Sequence, residues 1–396
     1  MRTLHLHQYS LNDIGPRRAQ PLLILHANGA WKLHPWARLW PIRNSRSKLL
    51  FHLRPFLRHS PVLVVKLGRL TVDLWSWFDS NEGVLSGIAA ALVIFGALIT
   101  VGRSFLFRLF RPDDKQTHLS LTQLSSPSPH PIQFADSDGV NIAYNVQGKT
   151  DPTLLVSPGI ISNLHVSANL PPIKNTMEAL GKFARVINFD KRGQGLSDPI
   201  SAVATLPERV KDIQAVADST QSEKFFLMGI SEGGPMSIKF AEENPHRVRG
   251  LILFGTTAKF IRSEDYPIGI SERSLNVTGE NWGQGNARDI LFPSISREVM
   301  DDATYKGFEK LLADKRSIIQ IVEYMKTLDV RALLPNLRCP TLVVHFAGDL
   351  AVPSRMGRYL ADHIPNAEFL EIAGVDHCDL ANAPEAIETI RQFMSR

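Results

Sequence analysis

Cysteine is nearly absent. The 396 residues hold two, Cys339 and Cys378, in no spacing that suggests a metal site or a redox pair. A disulfide-stapled scaffold is thereby excluded, and a reducing compartment is mildly favoured. Acidic side chains are scarce at the start: residues 1–82 contain 4 of the 39 Asp+Glu but 12 of the 44 Lys+Arg, a local charge of +8 within a total of +5. The rest of the chain, with 32 basic and 35 acidic residues, is close to neutral. Its high pI therefore says nothing about nucleic acid, and no helix-turn-helix, zinc-finger or RNA-binding signature occurs. No continuous apolar run opens the chain as a secretory signal would, since "PLLIL" at 21–25 is too short. Residues 1–70 set 12 Lys/Arg against Asp13 alone, the bias of an organellar transit peptide, which is an alternative location. Internal repeats are absent.

One stretch lacks charge, Asn, Gln and Pro altogether: "GVLSGIAAALVIFGALITVG", Gly83 to Gly102, bounded by Glu82 and Arg103. As a helix its twenty residues are about 30 Å long, the thickness of a bilayer's hydrocarbon core, and the reading is a single transmembrane span that meets membrane lipid. Arg103, Arg108 and Arg111 alternate with Phe105, Phe107 and Phe110 just beyond it, as at a headgroup layer. Basic residues are denser on that side, which places the C-terminal part in the cytoplasm. Five of the six tryptophans (Trp31, Trp36, Trp40, Trp75, Trp77) fall in the basic extension 1–82, composition suited to an anionic membrane surface. Residues 103–131 read as a juxtamembrane segment and Ser/Pro linker, and 132–396 as the globular domain.

From residue 132 short apolar runs alternate with helix-like segments. "TLLVS", "ARVINFD", "KFFLMGI", "GLILFG" and "PTLVVHFAG" predict an α/β fold with a mainly parallel sheet covered on both faces. Such sheets keep their chemistry at the carboxyl ends of strands. There Gly229-Ile-Ser-Glu-Gly233 forms G-x-S-x-G between a strand and a helix, with Ser231 as candidate nucleophile on a strained turn. A serine hydroxyl needs a base, and the base an orienting acid. Asp349 follows the next suitable strand and His377 the one after, in the chain order Ser, acid, His. Asp376, His345, Glu264 and Asp265 are rivals in poorer positions. Oxyanion donors are expected from the backbone N–H groups of Glu232 and of Ile160, in the loop "SPGIISN". The helical stretch at about 256–338 reads as a lid, whose Phe260, Tyr266, Trp282, Leu291 and Phe292 either line an apolar pocket or form a core of their own.

These motifs, with "FARVINFDKRGQGLSD" and "NWGQG", resemble the α/β-hydrolases over roughly residues 130–396. They look most like the modules fused to class III adenylate/guanylate cyclases in bacteria, although no cyclase domain accompanies them. The resemblance implies an α/β-hydrolase fold with a helical lid and the same triad, and it makes Asp190, Arg192, Gly193, Gly195 and Ser197 a structural turn. Serine at the elbow argues against dehalogenases and epoxide hydrolases, which use Asp. The expected activity is cofactor-free hydrolysis of a small carboxylic ester through an acyl-enzyme. The alternatives are thioester, C–C or perhydrolase chemistry on the same triad, or a catalytically idle binding protein.

Overall fold

Phe225–Ile230 and Thr341–Phe346 are buried at every position, which only a sheet covered on both faces allows. The computed structural model describes residues 118–148 and 151–396, together with four short strands nearer the N-terminus. The chain divides into two units, Met1–Pro112 and Asp113–Arg396. In the first, Leu23–Leu25 pairs antiparallel with Trp31–Leu33, and Val64–Leu67 with Leu70–Asp73. The expected span 83–102 lies outside the described residues. Among the described residues no helix is long and apolar enough to cross a membrane.

The second unit is built on eight strands: β1 (Gln133–Ser137), β2 (Val140–Gln147), β3 (Thr153–Ser157), β4 (Arg185–Phe189), β5 (Phe225–Ile230), β6 (Val248–Phe254), β7 (Thr341–Phe346) and β8 (Glu368–Ile372). Their order is β1-β2-β4-β3-β5-β6-β7-β8. The pairs β1–β2 and β2–β4 are antiparallel and the remainder parallel. In chain order the helices are α1 (Leu121–Leu124), α2 (Leu164–Ser167), α3 (Pro171–Gly181), α4 (Leu206–Ser219), α5 (Gly233–Glu243), α6 (Glu272–Glu280), α7 (Arg288–Leu291), α8 (Asp302–Leu312), α9 (Lys315–Thr327), α10 (Ser354–His363) and α11 (Pro384–Met394). Local sequence explains several starts. Thr205 and Glu208 cap α4 reciprocally, with Pro207 where its missing N–H costs nothing.

The helices cover the sheet from both sides. Val210, Ile213 and Val216 of α4 join Ile238 and Phe240 of α5 and Leu360 of α10 in one core. Leu180 of α3 joins Ile390 and Phe393 of α11 in the other. Between β6 and β7, helices α6 to α9 form the lid, which shares two apolar clusters with residues of α1, α2 and α10.

The Ser/Pro stretch read as a linker departs from that reading over 118–131. Ser120 and Gln123 form a capping box that starts α1, and Leu124 is fully buried in a lid cluster with Trp282 and Phe308. Leu119 N–H donates to the Val299 carbonyl at 2.7 Å, Ser128 N–H to His165 Nδ1 at 3.0 Å, and Asn169 Nδ2 to the Ser126 carbonyl at 2.8 Å. Buried leucine and satisfied backbone groups fasten this stretch to the domain, which polar composition alone does not reveal.

Candidate active site

Ser231 directly follows β5 with φ +52°, a left-handed conformation in which a side chain is strained. Its neighbours hold it there. Ser231 N–H donates to the Phe254 carbonyl at 3.0 Å, and Gly234 N–H to the Ser231 carbonyl at 3.0 Å. The two glycines of the motif are sterically required. A Cβ on Gly229 would lie 2.8 Å from Gly234 Cα, and one on Gly233 would lie 2.3 Å from the Ser157 carbonyl oxygen.

Asp349 sits in the turn after β7. One carboxylate oxygen accepts from the amides of Ala351 (2.8 Å) and Val352 (3.0 Å), and the other accepts from His377 Nδ1 at 2.7 Å. Burial pushes the Asp349 carboxyl up, but the attraction of His377 and the donors from His345, His377 and Val352 outweigh it and hold the group down at about 2. Burial likewise disfavours the His377 cation, yet Asp349 and then Cys378 raise it well above 6.5. His377 Nε2 is buried with no hydrogen-bond partner among the described residues. Its backbone N–H donates to the Leu291 carbonyl of the lid at 2.9 Å.

Of the rivals, Glu264 is exposed, and Asp376 and Asp265 have partners of their own. Asp376 accepts from Ser294 N–H at 2.9 Å and from the Ser294 hydroxyl, so it ties the His377 loop to the lid. Asp265 is an exposed partner of Arg331 at 2.6 Å. His345 is fully buried and bonds the Val352 carbonyl through Nε2 at 2.6 Å, with that nitrogen 3.5 Å from Asp349. It therefore faces the same Asp349 oxygen that accepts from His377. In the turn after β4, Asp190 accepts from the amides of Leu196 (2.8 Å) and Leu164 (3.2 Å), while Arg192 grips Asp212. Burial pushes Asp190 up to about 7 despite those donors.

Ser231 and His377 open on one cavity of about 160 Å³. Leu164, Val166 and Met177 line it from α2 and α3, and Trp282, Phe292 and Phe308 from the lid. Of the five lid residues singled out in the sequence, Trp282, Leu291 and Phe292 reach the cavity. Phe260 and Tyr266 do not: they pack with Leu275, Val322 and Met356 in the other lid cluster. The loop of Ile160 lies against the elbow, as the would-be Gly233 contact shows. The carbonyl oxygens of Gly159 and Ile160 accept from Lys191 Nζ at 2.5 and 3.3 Å, and the Glu232 carboxylate also binds Lys191. Sequence reasoning missed this lysine, which is 41 residues from its carboxylate partner.

Residues 173–381, a little over half of the chain, match the family described as serine aminopeptidase, S33. The chain belongs to this α/β-hydrolase family. The hydrolase is 24% identical over 220 residues to a pimeloyl-[acyl-carrier protein] methyl ester esterase of Nitrosomonas europaea, covering 53% of this chain and 84% of that protein. It is 24% identical over 234 residues to the human serine hydrolase BPHL, covering 57% of this chain and 73% of that one. Among solved structures, an esterase from Exiguobacterium antarcticum superposes with a TM-score of 0.59 at 20% identity, across 67% of this chain and 99% of its own. That likeness is one of fold. The family match makes the chain an α/β-hydrolase enzyme.

Proposed function

We propose that the enzyme cleaves a small carboxylic ester through an acyl-enzyme formed on Ser231. The carrying observation is the elbow serine opening, beside the His377–Asp349 pair, on an apolar cavity. Ser231 Oγ attacks the ester carbonyl carbon while His377 Nε2 takes its proton. The tetrahedral oxyanion is held by the amides of Glu232 and Ile160, then collapses and expels the alcohol, which leaves with the proton from His377. Water repeats the sequence on the acyl-enzyme, releasing the acid and restoring Ser231. Asp349 keeps Nδ1 protonated and stabilises the imidazolium formed in each half.

The cavity suggests the size of the group held. About 160 Å³ is close to the roughly 150 Å³ apolar cavity that admits benzene, so a short alkyl chain or a single ring fits. A fluorophosphonate probe and p-nitrophenyl butyrate test the chemistry. Labelling and turnover in wild type, both lost in Ser231→Ala, are expected; turnover that survives Ser231→Ala sinks the reading. The same proposal includes a membrane span at 83–102 with the catalytic unit on the cytoplasmic side. Fractionation with protease protection of residues 132–396 checks it, and a full-length chain released by carbonate washing would contradict it.

A further inference from the structure

Three charged side chains lie buried beside the elbow, where no step of the proposed reaction uses a charge. Lys191 is 0% exposed, Glu232 1% and Arg209 2%. Lys191 Nζ meets the Glu232 carboxylate, the Gly159 carbonyl at 2.5 Å and the Ile160 carbonyl at 3.3 Å. An ammonium has three N–H donors, so all three are used. Arg209 stands 3.6 Å from the other Glu232 oxygen and 4.4 Å over the ring of Tyr324. Asp190 is the remaining charged group acting on Lys191. Apolar side chains would fill this volume at less cost in desolvation, so the ions point to a task other than stability.

We propose that Lys191, secured by the carboxylate of Glu232, is the positioning residue that aims the oxyanion hole. This rests on the reading of Ser231 as nucleophile. In a trans peptide the C=O and N–H point in opposite directions. With the Gly159 and Ile160 carbonyls both turned to the ammonium, the Ile160 N–H is turned away from it. Gly159 is where this loop touches the nucleophile: a Cβ there would lie 3.2 Å from Ser231 Cβ and 3.7 Å from its Oγ. Glu232 then serves both donors, offering its own amide to the oxyanion and fixing, through its carboxylate, the cation that orients the other.

Burial pulls the Lys191 ammonium down to about 8, against the attraction of Glu232. Above that pH it becomes a neutral amine with one donor fewer, so kcat should fall on the alkaline side. Lys191→Met is the direct test, because it leaves Glu232 still facing Arg209 and strands no single charge. In the purified full-length protein, with p-nitrophenyl butyrate, kcat should fall about 100-fold, the cost of losing one oxyanion donor. KM should stay within about twofold, fluorophosphonate labelling should slow by the same factor as kcat, and the alkaline fall should vanish. Lys191→Arg keeps the charge and donors for both carbonyls and should recover to within about tenfold of wild type.

A folded Lys191→Met enzyme with kcat within threefold of wild type, alongside an inactive Ser231→Ala, overturns the proposal and leaves the nucleophile standing. Activity in Ser231→Ala overturns both. Should Lys191→Met fail to fold, Glu232→Gln keeps the volume and an acceptor for the ammonium. About tenfold lower kcat at constant KM in that variant supports the proposal, and unchanged kcat overturns it.

Discussion

Gly233→Ala places one methyl group where the elbow meets the oxyanion loop. The added carbon would stand 2.3 Å from the Ser157 carbonyl oxygen and 2.5 Å from that of Pro158. Carbon–oxygen contacts rest near about 3.3 Å, so elbow and loop must separate by about 1 Å. Both partners are backbone, so no side-chain rotation relieves the clash. Overpacking of this kind costs roughly 1–3 kcal/mol. A donor misplaced by about 1 Å costs about 100-fold in rate. Urea unfolding should show the stability loss, and steady-state turnover of p-nitrophenyl butyrate should show kcat about 100-fold down with KM moved less than threefold. Gly181→Ala is the control, since its methyl would find nothing nearer than 3.7 Å, and it should leave kcat within twofold. A stable Gly233→Ala enzyme that keeps kcat within threefold of wild type would refute the claim that elbow and loop are locked together.

Other outcomes follow from the same geometry. Because His377 is raised well above 6.5 chiefly by Asp349 against burial, kcat/KM should rise with pH through a midpoint above 6.5. Asp349→Asn removes the attraction and leaves burial, so the midpoint should drop below 6.5 in a pH–rate profile while kcat falls about 10⁴-fold. An unmoved midpoint would contradict the assignment. The depressed Asp349 carboxyl, about 2 against 3.8, contributes about 2 kcal/mol of stability that is present above pH 4 and lost as pH falls toward 2. Acid unfolding of wild type and Asp349→Asn should converge in that window. Leu312→Ala enlarges the cavity that Leu312 lines, and activity should shift from butyrate toward octanoate esters in a chain-length panel. Ser294→Ala removes a donor from buried Asp376; calorimetry should find about 1–3 kcal/mol less stability, and kcat should fall severalfold as the His377 loop loses its tie to the lid.

The sheet was readable because burial on both faces writes itself as uninterrupted apolar runs, and "FFLMGI" or "TLVVHF" fit little else than a strand with helices on either side. Glycine spacing marked the strained elbow, and chain order pointed to Asp349 and His377 after later strands, all at the carboxyl edge where the structure has them. The lid was harder. Phe260, Tyr266, Trp282 and Phe292 all fall outside helices α6 to α9, so no helical period told them apart, and Phe260 and Tyr266 looked as fit for the cavity as Trp282 and Phe292. The capping box Ser120–Gln123 was a local signal for α1 in a stretch whose Ser and Pro content reads as linker.

By itself, then, the sequence determined the α/β sheet, the elbow and the chain order of Ser231, Asp349 and His377, because each is written in a local pattern of apolar runs and glycines. Only the tertiary structure decided which lid residues face the cavity, that Asp376 is spent on Ser294, and that Lys191 bridges Glu232 to the carbonyls of Gly159 and Ile160. Those contacts join residues tens of positions apart, where neither periodicity nor turn chemistry reaches, and only the packing of loops at the sheet's carboxyl edge brings them together.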